Sequence, residues 1–203
     1  MNKSANYKNQ VCAIVLAAGA STRMKTQKLL LPFNGKTIIE TVVENALKVT
    51  GNVVVVLGSH KEAVAEKLAG QNVSIAENVN YLQGMLSSVI CGLTAIPAET
   101  QAVLLFLGDQ PQVPLAAAEM VCNEWTASGC GIVIPAFSGK RGHPVLIETR
   151  YLPEILKLDP EKGLRQLMEQ FKTDIFEVDC PYPEILRDID TPEDYHKEIN
   201  KNQ

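Results

Sequence analysis

The chain has 203 residues, 46% of them hydrophobic and 21% charged, and a formal net charge of −4 from 19 basic and 23 acidic side chains. That length suits one domain, which buries roughly 70% or more of its unfolded surface and needs no disulfide staples. A weakly acidic chain has no bulk attraction for nucleic acid or an anionic membrane, so any phosphate it binds must be met locally, by a loop, a few cations or a metal.

Cys12, Cys91, Cys122, Cys130 and Cys180 are odd in number and include no C-x-x-C pair. This argues against a zinc site or a disulfide framework and for reduced thiols in a cytoplasmic protein. Residues 1–10 are polar and lack an apolar core, so they are expected to form a tail and not a signal peptide, with the domain spanning 11–203. No apolar run approaches the length that spans a bilayer.

In chain order, short apolar runs at 11–16, 53–57, 73–76, 102–107, 132–137, 145–147 and 174–178 predict strands, and their continuity suits burial on both faces. Helical patterns lie between them at 37–49, 60–68, 84–95, 114–126, 163–171 and 191–199. The alternation predicts an α/β fold: a single three-layer α/β/α sandwich around a mostly parallel, mixed sheet. Ligands of such sheets gather at the carboxyl ends of the strands.

The first strand runs into Leu16-Ala17-Ala18-Gly19-Ala20-Ser21-Thr22-Arg23-Met24, with Lys28 shortly after. Small residues let the backbone approach a ligand, a positive φ at Gly19 would aim successive N–H groups at a phosphate, and Arg23 and Lys28 can return to the same anion. A tight β-α turn with two surface cations has the same local composition. The Rossmann G-x-G-x-x-G is absent, and Gly35-Lys36-Thr37 fails as a Walker A loop because Leu30 stands where its first glycine belongs.

Asp109 follows the apolar run 102–107, where a carboxylate would face a ligand; Mg²⁺ typically takes one or two such carboxylates plus substrate phosphates. Capping a turn is the structural alternative. Asp188 and Asp190 alternate in an extended segment and so point to one side. Either can reach the metal of Asp109, with Asp190 preferred. Thr191-Pro192-Glu193-Asp194 is a helix start, with a cap, Pro at the first position and acids in the first turn. Gly84, Ser87 and Ser88 open a helix whose N–H groups and hydroxyls can read a base edge or simply cap it. Gly139-Lys140-Arg141-Gly142-His143-Pro144 suits an anionic acceptor, or a solvated hairpin tip. His60 and His196 fall on polar helix faces.

Together these segments resemble the nucleotidyltransferases that activate sugars, isoprenoid precursors and molybdopterin, and most closely molybdopterin cytidylyltransferase and its relatives. The likeness spans nearly the whole chain after residue 10. It rests on Leu16-Ala17-Ala18-Gly19-x-Ser21-x-Arg23-Met24 with Lys28, Gly108-Asp109-Gln110-Pro111, Gly84-x-x-Ser87-Ser88, Gly-x-Arg141-Gly142-His143-Pro144 and Asp188-x-Asp190-Thr191-Pro192. Lys25 departs from it, standing where the family usually has glycine.

The resemblance implies a Rossmann-like (GT-A type) fold. Leu16, Ala17, Ala18, Gly19, Ser21, Arg23, Lys28, Gly84, Ser87 and Ser88 would bind the nucleotide, and Arg23, Lys28 and Asp109 would act in catalysis. Mg²⁺, or Mn²⁺ in its place, would sit on Asp109 with Asp190 or Asp188. Arg141, Gly142, His143 and Arg165 would meet the acceptor. The substrates implied are CTP, favoured by Ala17-Ala18, and a molybdopterin-type phosphorylated acceptor, with a molybdoenzyme or its chaperone receiving the product. Cytidylyl or guanylyl transfer to another phosphorylated acceptor stays open, as does a non-catalytic nucleotide-binding protein.

Overall fold

A computed structural model describes residues 7–24 and 26–201. Among these residues the strands are β1 (Val11–Ala17), β2 (Pro32–Phe33), β3 (Lys36–Thr37), β4 (Asn52–Leu57), β5 (Ser74–Glu77), β6 (Ala102–Leu107), β7 (Ile132–Phe137), β8 (Lys140–Arg141), β9 (Val145–Glu148) and β10 (Ile175–Asp179). The helices are α1 (Ile38–Val49), α2 (Lys61–Lys67), α3 (Met85–Thr94), α4 (Leu115–Ser128), α5 (Leu152–Ile155), α6 (Leu164–Gln170) and α7 (Pro192–Asn200). The main sheet runs β10-β7-β9-β6-β1-β4-β5, with β8 paired to β7.

The sheet is mostly parallel; β9 pairs antiparallel with both β6 and β7, and the short β8 pairs antiparallel with β7. The direction of β9 follows from chain length. The short connection between β7 and β9 holds only the small strand β8, and a parallel return would need a crossover of a dozen residues or more.

The β-branched character of the strands fills two cores, one on each face. Val11, Ala13, Val15 and Ala17 of β1 pack with α1, α2 and α4, while Cys12 and Ile14 pack with α3, α5 and α6. The strict inside-outside alternation along one strand buried on both faces is what the period of two requires. Cys12 and Cys122 sit in these layers as small hydrophobes, and burial pushes their thiols up to about 11 and about 12. On the second face Gly92 lets α3 lie against β1, since a Cβ there would stand 2.6 Å from Ile14 Cγ2. No helix among the described residues is long and apolar enough to cross a membrane.

Three local features bear on the sequence reading. Tyr7 is only 3% exposed and belongs to the first core; residues 1–6 of the expected tail lie outside the described residues. Gly35-Lys36-Thr37 belongs to a hairpin and a helix start. Asn34 and Gly35 turn β2 into β3 with φ of 50° and 83°, and Thr37 caps α1 in a capping box with Glu40. The basic loop is likewise a hairpin, turned at Ser138 and Gly139 with φ of 50° and 75°.

At the other end of the chain, Thr191 accepts from the Asp194 N–H and donates to the Asp194 carboxylate at 2.7 Å, closing the capping box of α7. Thr191→Ala is expected to lower stability by about 1 kcal/mol. For a chain of this size that is a fall in Tm of about 2–4 °C, read by thermal unfolding.

Candidate active site

β1 and β6 are neighbours in the sheet and end side by side, so the loop after β1 and the turn holding Asp109 share one edge. Two glycines permit the approach. A Cβ at Gly108 would lie 2.9 Å from the Leu16 carbonyl oxygen, and one at Gly58 would lie 2.8 Å from that of Ala18 and 2.7 Å from Tyr81 Cβ. Above this edge opens a cleft of about 420 Å³, lined by Leu16, Ala17, Ala18, Gly19, Ser21, Arg23 and Lys28 on one side. Asp109, Asp188 and Asp190 form its floor, and Tyr81, Gly84, Met85 and Ser88 its far wall.

The three carboxylates are brought together by backbone and side-chain bonds. The Ile189 N–H donates to the Asp109 carbonyl at 3.1 Å, and Gln110 Nε2 donates to Asp188 Oδ1 at 2.6 Å. Ile189 is fully buried in the first core, so its flanking aspartates both face the cleft, as the alternation predicts. Lys28 Nζ lies 2.5 Å from Asp109 Oδ2 and 2.8 Å from Asp190 Oδ1, and Arg23 Nη2 lies 2.8 Å from Asp190 Oδ2.

The titration of these groups follows from their packing. Burial pushes Asp190 upward, but the Lys28 and Arg23 contacts outweigh it and hold the carboxyl below its ordinary value. Burial raises Asp188, and the charges of Asp109 and Asp190 add to that against the Gln110 bond. Burial opposes the Lys28 charge, yet Asp109 and Asp190 raise its pKa and keep it an ammonium. His143 is depressed to about 4 by burial, with the nearby Asp109 charge opposing, so it is neutral at pH 7.

The first loop differs from expectation at one point. Its left-handed residue is Ser21, at φ of 51°, and not Gly19. The Ser21 hydroxyl donates to Gln27 Oε1 at 2.7 Å and holds the turn that leads to Lys28. A Cβ at Gly19 would meet nothing within 4 Å, so its absence opens the cleft rather than relieving the fold. Lys25 lies outside the described residues.

Other expected residues fall elsewhere. Ser87 does not line the cleft, because its hydroxyl faces the Gly84 carbonyl at 2.8 Å and the Asn80 carbonyl at 3.0 Å. Arg141 is paired with Glu177 at 2.6 Å on the exposed β8 hairpin. Gly142 is a packing position, since a Cβ would stand 2.4 Å from the Ile185 carbonyl oxygen. His143 donates its backbone N–H to the same carbonyl at 3.1 Å. Arg165 is exposed on α6, and neither it nor the residues of the 141–143 loop line the cleft.

Sequence reasoning missed Gly58, Gln110, Tyr81 and Asn78. The Gly-Asp-Gln-Pro segment carried a signal for Gln110, whereas Gly58 and Tyr81 acquire meaning from their mutual approach and Asn78 from its bonds to Asn80, Ser87 and Ser88.

A mixed α/β sandwich whose small-residue loop, paired cations and clustered carboxylates meet at the carboxyl ends of central strands defines a nucleotide-handling class of protein. Residues 13–175 match the model of the MobA-like NTP transferase domain, and the chain belongs to that family, a family of nucleotidyltransferases. Over 183 residues it is 31% identical to molybdenum cofactor cytidylyltransferase of Escherichia coli (strain K12), covering 90% of this chain and 92% of that protein. It is 28% identical to nicotine blue oxidoreductase of Paenarthrobacter nicotinovorans, covering 92% and 95%. A Mycobacterium tuberculosis H37Rv protein solved in complex with manganese has a TM-score of 0.74 and 25% identity, covering 95% of this chain and 99% of that one.

Proposed function

We propose that this protein transfers CMP from CTP to a molybdopterin-type phosphorylated acceptor in the cytoplasm and releases pyrophosphate. The observation that carries this is the meeting of Lys28 with Asp109 and Asp190 at the mouth of the first loop. The E. coli cytidylyltransferase relative supports the substrate pair, and Ala17-Ala18 supports cytosine.

An acceptor phosphate oxygen attacks the α-phosphorus of CTP. The new P–O bond forms as the bond to the β-bridging oxygen breaks, and pyrophosphate leaves with that electron pair. The nucleophile is already an anion, so no general base is required. The barrier is repulsion between anions and poor alignment, which orientation alone can lower by roughly 7–11 kcal/mol. Arg23 and Lys28 meet the triphosphate oxygens, and the charge they supply grows in value as negative charge collects on the leaving group. The loop from Ala17 to Ser21 lets the phosphates come close to the backbone. The 141–143 loop serves the acceptor, with Arg141 exchanging Glu177 for an acceptor phosphate and Arg165 available from α6.

The donor set fits a divalent cation. Two carboxylates already converge on one positive group, the Lys28 ammonium, and Asp188 stands beside them in the same cleft. Among the described residues no three His, Cys, Asp or Glu side chains make a ready cage. That suits an ion completed by substrate phosphates, as Mg²⁺ sites commonly are. Asp109 and Asp190 would hold Mg²⁺ or Mn²⁺, with Asp188 in reserve, and the manganese complex of the mycobacterial protein supports such a site. When bound, the ion would supply positive charge to the substrate phosphates.

The test is pyrophosphate release with CTP, GTP and ATP against molybdopterin, and against a panel of sugar and alcohol phosphates, with and without Mg²⁺. CTP with molybdopterin and Mg²⁺ is expected to give the highest kcat/KM. Equal or greater turnover of another pair reassigns the substrate, and binding of CTP without turnover on any acceptor makes the protein a binder.

A further inference from the structure

The far wall of the cleft depends on one buried amide. Asn78 is 4% exposed and lies just past β5, its backbone N–H bonded to the Leu57 carbonyl at 2.7 Å. Its Oδ1 accepts from the Asn80 N–H at 2.9 Å. A backbone N–H can only donate, which fixes which end of the amide is oxygen. Nδ2 therefore has two protons to give, and gives them to Ser87 Oγ at 2.9 Å and Ser88 Oγ at 3.0 Å.

The two hydroxyls are left in different states. Ser87 places its single proton on the Gly84 or Asn80 carbonyl. Ser88 accepts from Asn78 but has no acceptor for its own proton among the described residues, and it lines the cleft. With one lone pair held by the amide, the Ser88 O–H is free to donate into the cleft. Its neighbours on that wall, Tyr81 and Met85, are broad and largely apolar, unlike the charged floor. With the phosphates at Arg23, Lys28 and the first loop, a flat base falls to this wall.

We infer that Asn78 is a positioning residue: it fixes the Ser88 hydroxyl as a hydrogen-bond donor, so that this wall holds the base through an acceptor atom on its edge. Cytosine, with adjacent ring-nitrogen and carbonyl acceptors, meets that requirement. The inference rests on nucleotide binding in this cleft and adds which side chain sets the polarity of base recognition.

The experiment measures CTP and pyrophosphate binding by calorimetry, without acceptor, for the wild type, Asn78→Asp, Ser88→Ala and the double variant. A carboxylate at position 78 keeps the shape and the acceptor for the Asn80 N–H, but it has no proton to give and draws the Ser88 proton to itself. CTP is expected to bind about tenfold more weakly to Asn78→Asp and to Ser88→Ala, with the double variant no weaker than Ser88→Ala. Pyrophosphate, which engages Arg23, Lys28 and the first loop and not this wall, is expected to bind all four alike. In turnover the loss falls on KM for CTP more than on kcat.

Additive losses, or an equal loss of pyrophosphate, would overturn the inference. Unchanged CTP binding by Ser88→Ala would do the same even if Asn78→Asp failed to fold. A wild type that binds pyrophosphate or CTP nowhere in this cleft removes the nucleotide reading itself, and the inference falls with it.

Discussion

Asp109→Ala is expected to reduce pyrophosphate release by a factor of about 10³ or more, with Tm close to that of the wild type. The large loss follows from position. Asp109 stands on the turn after β6, and its side chain is one of two that grip the same positive group. Without it, the carboxylate pair that would hold a divalent ion is halved, and Lys28 is bound by Asp190 alone. The small effect on stability follows from what remains. Asp109 contributes its backbone carbonyl to Ile189, a bond that alanine keeps, and Lys28 retains Asp190 at 2.8 Å. Turnover under saturating CTP and Mg²⁺, beside a thermal unfolding curve, tests both halves. Pyrophosphate release within tenfold of the wild type removes Asp109 from the metal site.

Much of this arrangement is legible in the sequence because it depends on local rules. The runs at 102–107 and 132–137 are continuous and apolar, and they coincide with β6 and β7. Thr191-Pro192 with Asp194 writes its own capping box. The alternation around Ile189 gives the direction of Asp188 and Asp190 without any knowledge of the fold. What the sequence hides is pairing between segments far apart. The Arg141–Glu177 bridge pairs an expected acceptor cation in the free protein, and no spacing rule announces it. Gly142 reads as a loop glycine but is required by the Ile185 carbonyl, more than forty residues on. Ser87 and Ser88 are adjacent and chemically identical, and only the position of Asn78 separates the one that ties the loop from the one that faces the cleft.

Lys28→Met tests the other half of the grip and is expected to lower kcat/KM by about 10²–10³-fold, because a cation meant for the triphosphate is lost. It also exposes a competition within the free protein. The Lys28 side chain is only 11% exposed and occupies the point on which Asp109 and Asp190 converge. In the variant those carboxylates face each other without that counterion. Removing one partner of a buried pair costs roughly 3–5 kcal/mol; Asp109 and Asp190 keep 21% and 27% exposure, so the loss here falls below that range. The sign of its pH dependence is determined. Asp190 is held below its ordinary value in the wild type, so the contact stabilises above the unfolded carboxylate pKa and is lost as pH falls through the folded one. In the variant Asp190 keeps Arg23 at 2.8 Å but has lost Lys28, so less stabilisation remains to be lost on acidification. The gap in Tm between the two proteins is therefore expected to narrow from neutral to mildly acidic pH. Added Mg²⁺ is expected to recover more Tm in the variant than in the wild type and to bind it more tightly in the absence of nucleotide, since no ammonium holds the site. A Tm difference independent of both pH and Mg²⁺ would mean that the two carboxylates do not share one cation site.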